Sequence, residues 1–408
     1  MNKRRLENYA KLIVKKGINL KEGQDVVIRA DLDRPEFVKL VVETAYNAGA
    51  RKVEVEWDYQ PLTVIHINSR SVETLKDIPQ WEIDKLSYRR DTLPAMIYLL
   101  SEDPDGLQGI DREKHAISVQ ERYKKIKAIR DDMENKYQWC IAAVPGLKWA
   151  KKMFPGVSDD EAIELQWQAI LDTSRVDDDP LAAWDDHNKE LKKRCDYLNS
   201  LGIEKLHYTD QNGTDFTVGL MDNALFLGGG EYTLSGNFFN PNIPSEEVFI
   251  TPKRGEAEGI VYSSRPFCYR GELIEDFYIR FKDGRAVEWD AKKNKELLTT
   301  LISMDEGAHY LGECALVPHD SPISNSGLLF YNTLFDENAA CHLAIGEGFS
   351  NCIKDYDKYT LEECRKMGVN ESMIHEDFMI GTATLNITAI LKDGSEVPIF
   401  VDGNWAEN

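Results

Sequence analysis

At 408 residues, with 42% hydrophobic and 29% charged side chains, the chain is too long for one ordinary core and reads as a two-domain globular protein. A formal charge of −21, with nothing more basic than the pairs Lys151-Lys152 and Lys292-Lys293, excludes nucleic acid as a partner. No apolar run approaches a membrane span, Leu12 to Val14 is too short for a signal-peptide core, and the seven cysteines form no CxxC pair, so a cytoplasmic protein with free thiols and no membrane partner is expected.

In chain order, the first part alternates helix and strand. Asn8 to Lys16 is amphipathic, DVVIRA (Asp25 to Ala30) is a short apolar strand, and Arg34 to Ala48 reads as a helix with Pro35 in its first turn and Gly49 at its end. KVEVEW (Lys52 to Trp57) is a second strand, and the rhythm predicts a parallel crossover. Ala95 to Leu100 and Trp139 to Pro145 extend the sheet around a charge-rich helix from Asp111 to Asn135. Glu161 to Leu171 and Trp184 to Leu198 are two further helices. Asp31-Leu32-Asp33-Arg34 follows the first strand where a dinucleotide or P-loop site would need glycines, so neither site is supported.

The later part is punctuated by turns: Asn212-Gly213, Asp283-Gly284 and Asp393-Gly394 each separate two strand-like runs. The predicted class is α/β, with an N-terminal α/β domain (residues 1–200) built on a mainly parallel sheet. A C-terminal strand-rich α+β domain (residues 201–408) follows and carries the candidate metal site.

Five residues able to ligate a metal lie in that second domain: Glu247, Glu313, His342, His375 and Asp377. Two imidazoles with three carboxylates suit Zn, Mn, Co or Fe(II), and include more carboxylate than a structural zinc site uses. His375 and Asp377 are two apart, which on a strand puts both on one face, although such a triplet also arises by chance. His342 leads into Leu343-Ala344-Ile345-Gly346, where a histidine is either a packed core residue or a ligand; Glu337 just upstream is open to capping, ligation or proton transfer. Glu313 lies in LGECALVP, an apolar strand in which an unpaired carboxylate costs several kcal/mol on burial, so it calls for a cation. Glu246 and Glu247 open another apolar strand and point to opposite faces, so at most one of them faces a site. Cys314 and Cys341 read as packing residues. No substrate-binding residue is identifiable.

The strings NIPSEEVF, LGECALVP, LFDENAACHLAIG and HEDFMIGT, with WAKKMFP at Trp149 to Pro155, resemble in content and order those of the thermophilic metalloaminopeptidase family, the aminopeptidase T, AmpS and PepS group. The resemblance implies removal of N-terminal residues from short peptides by a co-catalytic pair of divalent ions (Zn, Co or Mn). It assigns those ions to Glu247, Glu313, His342, His375 and Asp377, prefers Glu247 over Glu246, and implies a homodimer with an enclosed active site. On that reading Glu313 is the expected bridging carboxylate, and Glu337 or Glu376 the expected catalytic group that moves a proton to the leaving amine. One position departs: family members carry a tyrosine seven residues after the histidine of this string, where the chain has Phe349. Two other readings compete: a mononuclear Fe(II) oxygenase using His342, His375 and Asp377, and a metal-stabilised homologue without turnover.

Overall fold

The computed structural model describes residues 2–269 and 271–406. It divides into two compact units, one of Met1–Asp186 with Gly230–Pro244, the other of His187–Gly229 with Ser245–Asn408. Gly230–Pro244, placed in the second domain by the sequence reading, lies with the first unit because Asn242–Ile243 forms a parallel strand against Trp139–Ala143. A strand of two residues has no periodicity by which to recognise it. Among the described residues no helix is long and apolar enough to cross a membrane.

The first unit is built on a wholly parallel five-stranded sheet in the order Asn242–Ile243, Trp139–Ala143, Ala95–Leu100, Asp25–Asp31, Lys52–Asp58. Helix Pro35–Asn47 begins with the proline at a position whose N–H has no intrahelical partner, and buries Phe37, Val38, Val41 and Ala45 at helical spacing. Phe37 packs with Tyr9 and Trp167 at centroid distances of 5.5 and 5.3 Å, and the Tyr9 hydroxyl donates to the Ala143 carbonyl at 3.1 Å, tying the first helix to the sheet. Helices Gln60–Ser69 and Gln80–Thr92, between the second and third strands, are absent from the sequence reading. The first buries only Ile67 and the second buries nothing, so neither shows the apolar stripe that marks a helix.

The second unit holds two antiparallel sheets. The larger contains the three predicted hairpins, Ile203–Thr209 with Asp215–Leu220, Glu272–Lys282 with Arg285–Lys293, and Asn386–Leu391 with Glu396–Val401. Asp283 and Gly284 both have positive φ (49° and 75°), as a two-residue turn matched to strand twist requires. The smaller sheet runs His375–Met379, His342–Gly346, Leu311–Leu316, Val248–Ile250, Leu227–Gly228. Every residue of Leu311–Leu316 and His342–Gly346 is buried. Ile250, Cys314, Leu343 and Phe378 of this sheet share one core with Leu206, Phe216, Ile279 and Phe281 of the larger one. Burying each such Leu, Ile or Phe is worth about 1.5–3 kcal/mol, which fixes this face of the sheet inward and its register with it.

Candidate metal centre

Cross-strand pairing sorts the smaller sheet into two faces. Ile250, Cys314, Leu343 and Phe378 lie opposite one another on the core face. On the other face Glu313 is opposite Ala344 and Ala344 opposite Asp377, Ala315 is opposite His342, and Gly346 is opposite His375. The register shifts between Leu311 and Glu313, leaving Gly312 as the extra residue of a bulge that turns Glu313 onto this face. A Cβ on Gly312 would stand 2.0 Å from the Glu347 carbonyl oxygen, so no larger residue fits. Gly312→Ala is expected to cost about 2–4 kcal/mol of stability, read as a lowered Tm, and to weaken divalent-ion binding; a variant matching the wild type in both would show that the bulge does not aim Glu313.

All five sequence-predicted ligands converge. Glu247, Glu313 and His342 offer donor atoms within 4.8 Å of one another, as do Glu313, His375 and Asp377, and Glu313 belongs to both groups. His342 Nε2 lies 3.2 Å from Glu247 Oε2, and His375 Nε2 lies 3.0 Å from Glu313 Oε2 and 3.5 Å from Asp377 Oδ1. The other ring nitrogens are engaged by backbone: His342 Nδ1 is 3.1 Å from the Ala340 carbonyl and His375 Nδ1 is 2.7 Å from that of Glu347. A carbonyl can only accept, so both Nδ1 atoms carry the proton and both Nε2 atoms face the carboxylates, the usual arrangement of a ligating histidine. Asp377 Oδ1 is buried and accepts no hydrogen bond, with His375 Nε2 3.5 Å away. This donor set fits a divalent cation.

Glu246 is separate from the cluster, its carboxylate 3.9 Å from His187. Glu376 is opposite Ile345 and therefore on the core-side face, away from His375 and Asp377; strand alternation removes it as a proton carrier at this centre. Glu337 is buried, close enough to the cluster for the Asp377 and Glu247 charges to act on it. Asn338, which the sequence reading passed over, donates to Glu337 Oε1 at 3.3 Å and to the Leu334 carbonyl at 2.9 Å while accepting from the Glu246 N–H at 2.7 Å. It ties the segment carrying Glu337 to the one carrying Glu247.

A model of the thermophilic metalloprotease (M29) family matches residues 2–405. The chain belongs to that family. Aminopeptidase AmpS of Bacillus subtilis (strain 168) is 40% identical over 404 residues, covering 98% of either chain. The solved structure of wild-type AmpT from Thermus thermophilus matches with a TM-score of 0.89 and 36% identity, over 99% of this chain and 100% of that one. A dihydroxypyridine dioxygenase from Pseudomonas putida KT2440 matches with a TM-score of 0.51 at 11% identity, over 99% of this chain and 97% of that one; it shares the fold alone. Family and relatives together assign the chain to the metalloaminopeptidases, hydrolases of the exopeptidase kind.

Electrostatics at the centre of this M29 member have one dominant theme, protons held where a cation would sit. Burial pushes the Glu313 carboxyl up to about 7, with the Asp377 and Glu247 charges adding to it against the His375 hydrogen bond. Burial also holds Glu337 well above the usual carboxylate range, helped by the charges of Asp377 and Glu247. For the histidines burial works downward and the carboxylates overcome it: His342 is raised to about 10 chiefly by Glu247, and His375 well above its ordinary value by Asp377 and Glu313. Asp377 alone is depressed, burial being outweighed by the His375 charge.

Glu313, Glu337, His342 and His375 thus bind protons more tightly folded than unfolded. The stability this contributes is complete below the unfolded values of 4.5 and 6.5, and it is lost as pH rises through about 7 for Glu313 and about 10 for His342. Asp377 has the opposite sign: its contribution is complete above 3.8 and is lost only as pH falls below that value. The metal-free protein is therefore expected to lose thermal stability as pH rises from about 5 to about 9, with a much flatter profile in saturating zinc, because a cation takes over from the protons. A metal-free Tm that rises across that range would contradict the linkage.

Proposed function

We propose that the second unit is catalytic and that Glu247, Glu313, His342, His375 and Asp377 hold two divalent ions, Zn, Co or Mn, in an enzyme that releases the N-terminal residue of short peptides. The observation that carries this reading is that Glu313 belongs to both donor groups and so would serve both ions. The buried Asp377 Oδ1, which accepts no hydrogen bond, and the backbone-held Nδ1 atoms of both histidines support it further. Bound there, the ions supply Lewis-acid polarisation of the scissile carbonyl and a water nucleophile of lowered pKa.

The chain's own contribution is positioning and proton transfer. Glu337 lies outside both donor groups, and its raised pKa suits a group that takes a proton from the nucleophile and delivers it to the leaving amine. Asn338 donates to Glu337 Oε1 at 3.3 Å and so orients the carboxyl for that transfer. Phe349 sets a ring against His375, 4.7 Å between centroids, so position 349 provides no hydrogen bond to the reacting carbonyl in this chain.

The oxygenase alternative would use only His342, His375 and Asp377, leaving Glu247 and Glu313 buried without a role, and the family assignment does not favour it. A homodimer is carried by the family resemblance. A reducing cytoplasm suits the seven cysteines, all free thiols. The test of function is release of p-nitroaniline from an aminoacyl-p-nitroanilide panel by metal-stripped protein before and after addition of Zn, Co or Mn. Release that depends on the ion supports the proposal; no release with any ion rejects it.

A further inference from the structure

We propose that Leu227 and Phe349, backed by the buried Phe249, form an apolar wall beside the metal cluster that receives an uncharged, apolar side chain on the substrate's N-terminal residue. The assignment rests on the aminopeptidase reading above and adds the specificity of its site.

The wall follows from register. On the ligand face of the smaller sheet, His342 is opposite Ala315, Ala315 opposite Phe249, and Phe249 opposite Leu227. The row that begins with a proposed ligand continues sideways as three apolar residues and contains no charge. Phe349 stands over it, its ring centroid 5.5 Å from Phe249 and 4.7 Å from His375. The Phe349 N–H donates to Thr251 Oγ1 at 2.7 Å, which fixes the backbone that presents the ring. Phe249, Ala315 and Cys352 form a small buried cluster of their own, separate from the main core, with Leu227 and Phe349 packed on it and partly exposed.

Accessibility decides which way a substrate meets these residues. The His375 side chain is 24% exposed, against 1% for His342, 6% for Glu313, 10% for Glu247 and 11% for Asp377. A peptide reaching the cluster therefore passes His375, and the ring lying on His375 is Phe349. A charged side chain placed against this wall would lose hydration and gain no partner, whereas a leucyl or phenylalanyl side chain would cover apolar surface already prepared for it.

The test is kcat/KM for Leu-, Phe-, Ala-, Lys- and Asp-p-nitroanilides with the zinc-loaded protein, repeated with Leu227→Asp and Leu227→Lys. Wild type is expected to favour Leu and Phe over Asp and Lys by about 100-fold, and over Ala by about tenfold. Leu227→Asp is expected to raise the Lys-to-Leu ratio at least tenfold, and Leu227→Lys the Asp-to-Leu ratio similarly. Asp or Lys cleaved as well as Leu by wild type would overturn the wall whether or not a variant folds, as would ratios unmoved in folded variants. Hydrolysis without apolar preference removes this inference alone; no hydrolysis of any substrate removes the aminopeptidase reading with it.

Discussion

Glu313→Gln is expected to lower kcat/KM towards aminoacyl-p-nitroanilides by at least about 1,000-fold, the equivalent of about 4 kcal/mol of transition-state stabilisation. The substitution keeps the shape of the side chain and removes its charge. Glu313 serves both donor groups, so the loss falls on two proposed ion positions at once. The same variant carries a second, opposite signature. Burial raises the Glu313 pKa to about 7, so ionising it in the folded, metal-free protein is unfavourable, and above that pH the neutral glutamine relieves the strain. At pH 8 without metal the variant is expected to melt at or above the wild-type temperature while remaining inactive with metal. A side chain that merely supported the fold would lose both properties together. Activity within tenfold of wild type would show that Glu313 is not at the centre of the chemistry.

Removing divalent ions is expected to abolish turnover and to lower Tm by about 10 °C relative to protein at saturating zinc. An ion present at 1,000 times its Kd stabilises by about 4 kcal/mol, and a domain of this unit's size shifts by roughly 2–4 °C per kcal/mol. Without the ion, three carboxylates and Glu337 remain buried around two imidazoles, and the protons they hold are a poor replacement above neutral pH. Differential scanning calorimetry with and without chelator at pH 8 measures the shift. An unchanged Tm, with activity also unchanged, would mean that the cluster binds no functional ion.

The parts of this site that could be read in the sequence are those whose signal is local. Glu313 stood out because a carboxylate in an unbroken apolar strand needs a partner, and the strand is indeed buried along its whole length. His375 and Asp377 share a face by strand alternation; the sequence reading does not apply the same alternation to Glu376 between them and keeps it as a catalytic candidate, although the pairing puts it on the opposite face. Gly312 also left a trace: an isolated glycine inside a strand pattern marks a bulge or a close backbone approach, and here it is both. Asn338 left none, because its value lies in a hydrogen bond to Glu246, 92 positions away in the chain. The fold divides in the same manner. Strands and hairpins with alternation and turn residues were legible; helices Gln60–Ser69 and Gln80–Thr92, which bury almost nothing, and the strand Asn242–Ile243, held by tertiary pairing, were not.

The proposal is that two divalent ions, held by a cluster in which Glu313 is shared, serve this chain's aminopeptidase chemistry. It is tested most directly by titrating metal-stripped protein with zinc while recording bound metal per chain and the rate of leucyl-p-nitroanilide hydrolysis in the same samples. The account predicts that full activity requires two ions per chain and that Glu313→Gln reaches neither that occupancy nor that rate. Full activity at one ion per chain, or two bound ions with no hydrolysis, would contradict it.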